Sequence, residues 1–472
     1  MMRSMYSAVS GLRNHQTRMD VIGNNIANVN TAGYKKSRVV FKDALYQTIR
    51  GASRPTDARG GTNPMGVGLG MTLASIDQIH TPAPPTTTNK LTDMAVDGNG
   101  YFIVANGDEE YYTRAGNFDF DVNGNLYSTS NGYRVKGWMA NNNKLDATGD
   151  WAIETTGATV PIDISTYKTV APRATTSMEF TGNLDSDIEI NQFYTTDDPP
   201  VLKAIDPATD VPDNTKAVVT SKDIYDSLGN KMTVYFRFFK AGTNVSTSDP
   251  STYDQSQWFC DISLDPDFPA GTGFGTAFGA GQPTIRIGAL DGTSNIKFTT
   301  EGKLDPSSIK NVNLLINRSA YGADNMDVNI DLSQLTQYNN KSTAWAETQD
   351  GYTQGDLTSY TVGTDGVIKG GYSNGVVRNL ARVAIANFQN PGGLLQCGGS
   401  MFQVSNNSGD ARIGAPGEQG MGAIIPGSLE MSNVDLSEEF TDMIVTQRGF
   451  QANSRIITTS DEMLQELVNL KR

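Results

Sequence analysis

The sequence predicts a mainly β protein with long N- and C-terminal α-helices, arranged as a nested, discontinuous multi-domain architecture. Two observations support this prediction. At both chain ends, apolar residues recur every three or four positions, which is the spacing of an amphipathic helix. Between the ends, apolar and polar residues alternate with period two, and Gly, Asn and Asp turns separate the runs, as in antiparallel strands.

The N-terminal end is predicted to form the first helix, which ends at the turn-rich sequence around Gly33. Charged side chains interrupt its apolar residues and no small-residue cleavage site follows, so we do not expect a secretory signal peptide. The apolar stripe expected to pack against other helices comprises Met5, Val9, Leu12, Met19, Ile22 and Ile26.

The C-terminal tail is predicted to form a longer helix that begins at Asp435, a capping residue followed three positions later by Glu438. One heptad column of this helix is apolar throughout, and the neighbouring column is apolar at both ends and polar in the middle. Because a lone helix has no core of its own, we expect it to pack against other helices. The apolar members of the two columns are Leu436, Met443, Phe450, Ile457 and Leu464, and Phe440 and Val468.

The charges of the two ends are complementary. Residues 1–60 carry a net charge of +7, and residues 429–472 carry a net charge of −4. These values favour pairing of the two helices, within one chain or between subunits. The rest of the chain beyond residue 60 has a net charge of −21, which argues against nucleic acid as a partner.

The segment 35–90 is predicted to be a linker or hinge region. It contains a short apolar run at Val39–Phe41 and then a stretch rich in Gly and Pro. Gly66, Gly68 and Gly70 are predicted to form a hinge. A phosphate-binding loop is a poor alternative, because the pattern predicts no strand before these glycines and no helix after them.

The remaining chain is predicted to form two β domains. Residues 91–140 have hairpin turns at Asp97-Gly98 and Asn123-Gly124, and residues 361–429 resemble them in pattern. We therefore expect these two segments to form one inner β domain. Residues 141–360 would then be an outer β domain of one or two lobes, with expected strands at Lys231–Lys240, Pro283–Leu290 and Asn295–Thr300.

Residues 1–34 and 430–472 complete the nested arrangement as a terminal helical assembly domain. In the sequence, the two helical segments would flank the two segments of the inner β domain. Those two segments would in turn flank the outer β domain.

No catalytic, cofactor or metal site is predicted. The two histidines, His15 and His80, are too few for histidine-based sites. The segment that begins at Asp119 resembles the first half of a calcium-binding loop, but its twelfth position is Ser130 instead of glutamate, so a hairpin turn is the better interpretation.

Two further questions stay open at this stage. Cys260 and Cys397 are expected to be buried free thiols, with a single disulfide as the alternative. A secreted β-rich ligand-binding protein is the competing class of function, for which Trp258 and Tyr235 are the candidate ligand contacts.

The chain resembles the bacterial flagellar hook proteins of the rod–hook axial family over about the first 140 and the last 110 residues. The resemblance rests on the sequences MYSAVSGLRNHQTRMDVIGNNIANVNTAGYKKSRVVF, GVGLGM, TNKLTDMAVDGNGYFIV, YTRAGNFDFDVNGNL and SNVDLSEEFTDMIVTQRGFQANSRIITTSDEMLQELVNL. A distal rod protein of the same family is the alternative, although the large insertion at 141–360 favours a hook protein.

The resemblance implies a structural protein without enzymatic activity that polymerises into a flexible helical tube, joins the rod to the filament and transmits motor torque. It implies an extracellular location in the flagellar hook after export without a cleaved signal peptide. The implied partners are further copies of the chain, the rod, hook-cap and hook–filament junction proteins and the flagellar type III export apparatus. Nucleic acid, small-molecule substrates and cofactors are not expected. Phe41 and Leu45 match the export element of the family.

Overall fold

The predicted fold class is confirmed: strands fill the middle of the chain, and one long helix lies at each end. The chain divides into two compact units. Unit 1 comprises Met1–Lys168, Thr358–Gly371 and Val377–Arg472, and unit 2 comprises Thr169–Leu357 and Tyr372–Val376. The computed structural model describes residues 2–55, 57, 59–146, 149–206, 210–269, 273–274, 284–287, 296–319 and 322–470.

Helix α1 spans Met2–Ala27 and is followed by short strands. These are β1 Ser37–Asp43, β2 Tyr46–Arg50, β3 Met65–Gly68, β4 Met71–Gln78, β5 Pro85–Thr87, β6 Met94–Asp97, β7 Tyr101–Asn106, β8 Glu109–Thr113, β9 Phe118–Phe120, β10 Leu126–Ser128, β11 Arg134–Leu145, β12 Trp151–Ile153 and β13 Val160–Pro161.

The middle of the chain continues with strands of 2 to 15 residues. These are β14 Thr169–Val170, β15 Ser177–Asp185, β16 Phe193–Tyr194, β17 Leu202–Lys203, β18 Ala217–Tyr225, β19 Lys231–Val245, β20 Tyr253–Ser263, β21 Gly273–Phe274, β22 Thr284–Ile287, β23 Asn311–Ile316, β24 Met326–Tyr338, β25 Trp345–Gln349 and β26 Gly355–Val362.

The last strands lead to helix α2, Leu436–Asn469. They are β27 Val367–Tyr372, β28 Val377–Val383, β29 Ile385–Asn387, β30 Leu395–Gly398, β31 Met401–Gln403, β32 Arg412–Gly414, β33 Ala423–Pro426 and β34 Ser428–Glu430.

Unit 1 contains a sheet in the order β27-β28-β11-β7-β8-β31-β30, so strands from before and after the insertion pair with each other. Two further pairs, β6 with β33 and β5 with β34, also join early and late segments. Its core includes Tyr101, Tyr112, Trp138 and Phe402. That the two flanking β segments form one inner β domain stays a prediction, which this pairing supports.

Unit 2 is built from a sheet in the order β23-β24-β15-β25 and a second sheet in the order β18-β19-β20-β22-β21. In β19, alternate residues Val234, Phe236 and Phe238 are buried in one core with residues of β15 and β24. This is the period of two that a strand with one buried face requires.

Most local predictions are confirmed. The expected turn at Gly98 separates β6 from β7, and the one at Gly124 separates β9 from β10; both glycines have a positive φ, which suits a residue without a Cβ. The capping prediction for α2 is also confirmed, since the Asp435 carboxylate accepts hydrogen bonds from the backbone nitrogens of Ser437 and Glu438.

Three expectations need correction. Within 296–300, the predicted strand is reduced to isolated bridges at Ile296 and Phe298. Cys260 is a buried free thiol as expected, but Cys397 is exposed. The predicted linker at 35–90 contains five strands. The domain boundaries at 140/141 and 360/361 stay predictions.

Candidate assembly site

The two terminal helices lie antiparallel against each other in unit 1. Near the end of α1, Asn25 Nδ2 donates to Glu439 Oε2 at 3.2 Å, close to the start of α2. About two turns earlier in α1 and about one turn further along α2, Arg18 Nη2 lies 2.7 Å from Asp442 Oδ2. The pairing expected from complementary charges is therefore present within a single chain.

The seam between these helices is lined mostly by small and polar residues. Ala8, Gly11, Ile22 and Asn25 are buried in α1, and Glu439, Thr446 and Ser460 are buried in α2. A Cβ atom on Gly449 would lie 2.9 Å from the ring of His15, so glycine is needed for the helices to approach closely here.

The predicted apolar stripe of α1 lies largely beside this seam. Ile22 is buried, whereas Met5, Leu12, Met19 and Ile26 are half-buried and Val9 is exposed. Part of this stripe faces the strands that follow the helix, because α1 packs against β1 and β4 as well as against α2.

The predicted columns of α2 lie further from the seam. Met443, Phe450, Ile457 and Leu464 are half-buried, and Leu436, Phe440 and Val468 are exposed. The buried positions instead form the column Glu439, Thr446, Asn453 and Ser460, in which Asn453 is half-buried. Hydrophobicity alone did not identify this column; its heptad spacing with small or polar side chains was the available indication.

Ionisable groups in the seam have shifted pKa values. Burial raises the pKa of Glu439, and the nearby carboxylates of Asp442 and Glu438 raise it further, against the hydrogen bond from Asn25. Burial also lowers the pKa of His15, and the positive charge of Arg18 acts in the same direction. At neutral pH, the helix pair therefore contains a neutral imidazole and a carboxylate that burial destabilises.

Hydrogen bonds attach α1 to the neighbouring strands. Asn14 Nδ2 donates to the carbonyl of Met71 at 2.8 Å, and Asn25 Nδ2 donates to the carbonyl of Ser37 at 2.9 Å. Gly70 has a φ of +108°, and a Cβ atom there would overlap the hydroxyl oxygen of Ser10. These contacts position the helix pair on the strands β1 and β4.

The hairpin of β2 and β3 exposes apolar side chains on both faces. A two-stranded hairpin is marginally stable alone in water. Strand β2 ends at Arg50, and the segment that connects it to β3 contains Arg54 and Arg59, which give this connection a basic character. The exposed apolar residues are Leu45, Tyr46, Ile49, Met65, Val67 and Leu69.

The remaining predicted residues lie close to this hairpin. Gly66 and Gly68 are inside β3, opposite Thr48 and Tyr46 of β2, and Gly70 follows that strand. Phe41 is half-buried with its ring edge-on to His15, and Leu45 is exposed. Their roles as hinge and export element stay predictions.

Of the two aromatic residues suggested for ligand binding, Tyr235 is half-buried and Trp258 offers almost no surface. Trp258 is buried in the core of unit 2, so it is unavailable to a ligand. Among the described residues, His, Cys, Asp and Glu form no group that could hold a metal ion. No helix in the described part of the chain has the length and hydropathy needed to cross a membrane.

Four family profiles match successive parts of the chain. They are described as "Flagella basal body rod protein" at residues 5–35, "Flagellar hook protein FlgE/F/G D1 domain" at 95–178, "Flagellar basal body protein FlaE D2 domain" at 183–352, and "Flagellar basal body rod FlgEFG protein C-terminal" at 425–470.

Relatives of known identity match along the whole chain. The flagellar hook protein FlgE of Borreliella burgdorferi is 42% identical, and that of Treponema pallidum is 38% identical, with full coverage of both chains in each comparison. The flagellar basal-body rod protein FlgG of Bacillus subtilis is 29% identical, also with full coverage of both chains. The two hook proteins therefore share more identical positions with this chain than the rod protein does.

Proposed function

The chain belongs to the flagellar hook protein family and is a structural subunit of the bacterial flagellar hook, and on this premise we propose that subunits assemble through their terminal helices. The family is structural, and its members are self-polymerising components of the flagellar axis.

The observation that carries the proposal is the exposed apolar surface on α2. Phe440, Ile444 and Val445 are each more than half exposed, at 51%, 53% and 57%. They remain exposed because the seam with α1 is filled by small and polar residues. In a homopolymer, a neighbouring copy is the natural partner for such a surface, since burial of apolar area is the main driving force for association.

We assign the predicted stripes to this interface between copies. On α1 they are Met5, Val9, Leu12, Met19, Ile22 and Ile26, and on α2 they are Leu436, Phe440, Met443, Phe450, Ile457, Leu464 and Val468. Ile22 is already buried within the subunit, but the half-buried and exposed positions of the other residues leave apolar area for a neighbouring subunit to cover. The exposed hairpin of β2 and β3 supplies a second apolar surface of the same kind.

The assembled chain would be a flexible helical tube that joins the rod to the filament and passes torque round a bend. We propose that Gly66, Gly68 and Gly70 give the segment between the helices and the β domains its flexibility. The terminal helical domain 1–34 with 430–472, the hinge segment 35–90, the inner β domain and the outer β domain would then be the four functional parts of the subunit.

Export and further partners are also part of the proposal. Phe41 and Leu45 would be recognised by the flagellar type III apparatus, and the chain would leave the cell without cleavage of a signal peptide. In the finished flagellum, it would contact the rod, the hook cap and the hook–filament junction proteins. A distal rod subunit of the same family is the alternative, but the similarity to the rod protein FlgG of Bacillus subtilis, at 29% identity, is lower than the 42% shared with the hook protein of Borreliella burgdorferi.

Limited trypsin digestion of monomer and polymer tests the assembly surface. The parts of both helices that lie far from the β domain should be ordered mainly in the polymer, because an isolated amphipathic helix recovers little of its ordering entropy in water. Cleavage at Arg13, Arg18, Arg448 and Arg455 should be fast in the monomer and slow in the polymer. Sites in β11 and β19 provide an internal control and should change little. Equal protection of the four helix sites in both states would contradict the proposal.

A further inference from the structure

Three segments of unit 1 meet at a buried group of charged side chains. Lys35 Nζ lies 2.7 Å from Glu430 Oε1, and Arg114 Nη1 lies 3.2 Å from Glu430 Oε2. The side chains of Lys35, Glu430 and Arg114 are 0%, 1% and 2% exposed. We call this group the ionic clasp.

Backbone groups complete the hydrogen bonding of the clasp. Lys35 Nζ also donates to the carbonyl of Thr81 at 2.7 Å, and the backbone nitrogen of Ala83 donates to Glu430 Oε1 at 2.9 Å. The carbonyl of Glu430 accepts from the backbone nitrogen of Gly33 at 2.8 Å. The clasp thus joins the segment after α1, the segment after β4 and the end of β34.

The second positive charge of the clasp has its own partners. Arg114 Nη2 donates to the carbonyl of Gly98 at 2.8 Å, and its guanidinium lies 4.9 Å from the centre of the Tyr101 ring. The clasp contains two positive charges and one negative charge, and these carbonyl and aromatic contacts offset part of the excess positive charge. They also tie the clasp to β7, in the core of unit 1.

The clasp lies where both helices connect to the β strands. Lys35 follows α1, which ends at Ala27, and Glu430 precedes α2, which begins at Leu436. Breaking a buried ion pair by removal of one partner is strongly destabilising, because the remaining charge stays buried without compensation. The two connections are therefore held together by a contact that resists opening.

We propose that Lys35, Arg114 and Glu430 are positioning residues that hold the adjoining ends of α1 and α2 side by side on the β domain, so that each subunit is preorganised for assembly. This inference rests on the proposed function, because it assumes that the helix pair is what neighbouring copies recognise. Ordering these ends in advance lowers the entropy lost on assembly.

The chain contains a matched control one residue away. Lys36 Nζ lies 2.6 Å from Glu438 Oε2, so this pair also joins the segment after α1 to the start of the C-terminal helix. The side chain of Glu438 is 61% exposed, however, and exposed ion pairs contribute little. Lys35→Met and Lys36→Met therefore each remove one positive charge that is paired with a glutamate. The two variants differ in whether that ion pair is buried or exposed.

Amide hydrogen exchange of the full-length monomer tests the clasp. The amides to follow are those of Gly33, Ala83, 20–27 and 436–443 that are protected in the unsubstituted protein. In Lys35→Met, their exchange rates should increase at least tenfold. The exchange rates of amides in β7 and β11 should change less than twofold. Lys36→Met should leave all these rates within twofold. Glu430→Gln should reproduce the pattern of Lys35→Met. The concentration needed for polymerisation should rise at least tenfold for Lys35→Met and less than twofold for Lys36→Met.

Any of the following results would overturn the inference. Uniform acceleration that includes β7 and β11 in both clasp variants would make these residues part of the general core. Unchanged exchange in the clasp variants, or equal effects of Lys35→Met and Lys36→Met, would remove their positioning role. Normal polymerisation of Lys35→Met would do the same. Absence of polymers from the unsubstituted protein would instead contradict the proposed function, while the monomer exchange pattern would still decide whether the clasp holds the helix ends.

Discussion

A Cβ atom on Gly11 would lie 2.7 Å from Nδ2 of Asn453, so α1 and α2 meet at a point where glycine leaves little spare room. The two helices are therefore held together along the seam by close packing of small side chains instead of by burial of large apolar ones. It also explains why the large apolar side chains of both helices lie beside the contact.

Substitution of Gly11 by leucine should separate the helix pair. A leucine has no space against Asn453, and overpacking typically costs about 1–3 kcal/mol. We expect reduced polymer formation and, in any polymer that forms, faster trypsin cleavage at Arg18 and Arg455 than in the unsubstituted polymer. Gly23→Leu is the control, because a Cβ atom on Gly23 would meet no atom within 4 Å. Similar cleavage and assembly of the two variants would contradict the importance of this contact.

Phe440→Asp should weaken polymerisation and leave the subunit intact. The ring is half exposed in the subunit, so a carboxylate there stays solvated until a neighbour covers it. Burial of an unpaired carboxylate at every interface should then cost several kcal/mol per subunit. Sedimentation measures the polymer, and circular dichroism measures the fold. Thr441→Asp adds the same charge at a neighbouring exposed position and should assemble normally. Full polymerisation of Phe440→Asp would exclude this face from the interface.

Unit 1 should lose stability as the pH falls from about 6.5 to 4. Burial lowers the pKa of His80 to about 4, and the charges of Lys35 and Arg114 add to this effect. An unfolded histidine titrates near pH 6.5, so the unfolded state binds more protons throughout this interval and folding becomes less favourable as the pH falls. The loss should be on the order of 1 kcal/mol at pH 5.

Chemical denaturation at pH 7.5 and pH 5 of the unsubstituted protein and His80→Gln measures this contribution. The variant should lose less stability than the unsubstituted protein between the two values. The raised pKa of Glu439 acts with the opposite sign, since its contribution is greatest in acid and is lost as the pH rises, but it is common to both proteins. An equal pH dependence of the two would show that His80 does not carry this effect.

The double substitution Gly66→Ala with Gly68→Ala tests the proposed hinge. Both glycines lie in β3, where a Cβ atom would meet its nearest neighbour at 3.5 Å, an ordinary contact distance. The subunit should therefore fold normally, and the reduced backbone freedom should give straighter, stiffer polymers in electron micrographs. Gly70→Ala is a separate variant, since its positive φ and the contact with Ser10 would strain the subunit. Unchanged curvature of the double variant would argue against the hinge.

Much of the fold follows from local sequence patterns. The start of α2 at Asp435 depends on a side chain that caps its own helix, and the turns at Gly98 and Gly124 depend on backbone conformations that glycine adopts readily. The strands of the inner β domain follow from alternation of apolar residues. Interactions between near neighbours determine these features, so a single sequence suffices to predict them.

The candidate site was only partly predictable. The sequence by itself determined that both ends form amphipathic helices of complementary charge, because periodicity and charge are properties of each segment. Only the tertiary structure decided that the seam consists of residues such as Gly11, Thr446 and Ser460. It also decided that Lys35, Arg114 and Glu430 meet where both helices connect to the β strands. Small residues have little apolar area, so a hydrophobicity pattern does not reveal that they are buried. Their role is to let the backbones of two segments that are distant in sequence approach each other closely. That distance, like a charge cluster gathered from three segments, exists only once the chain has folded.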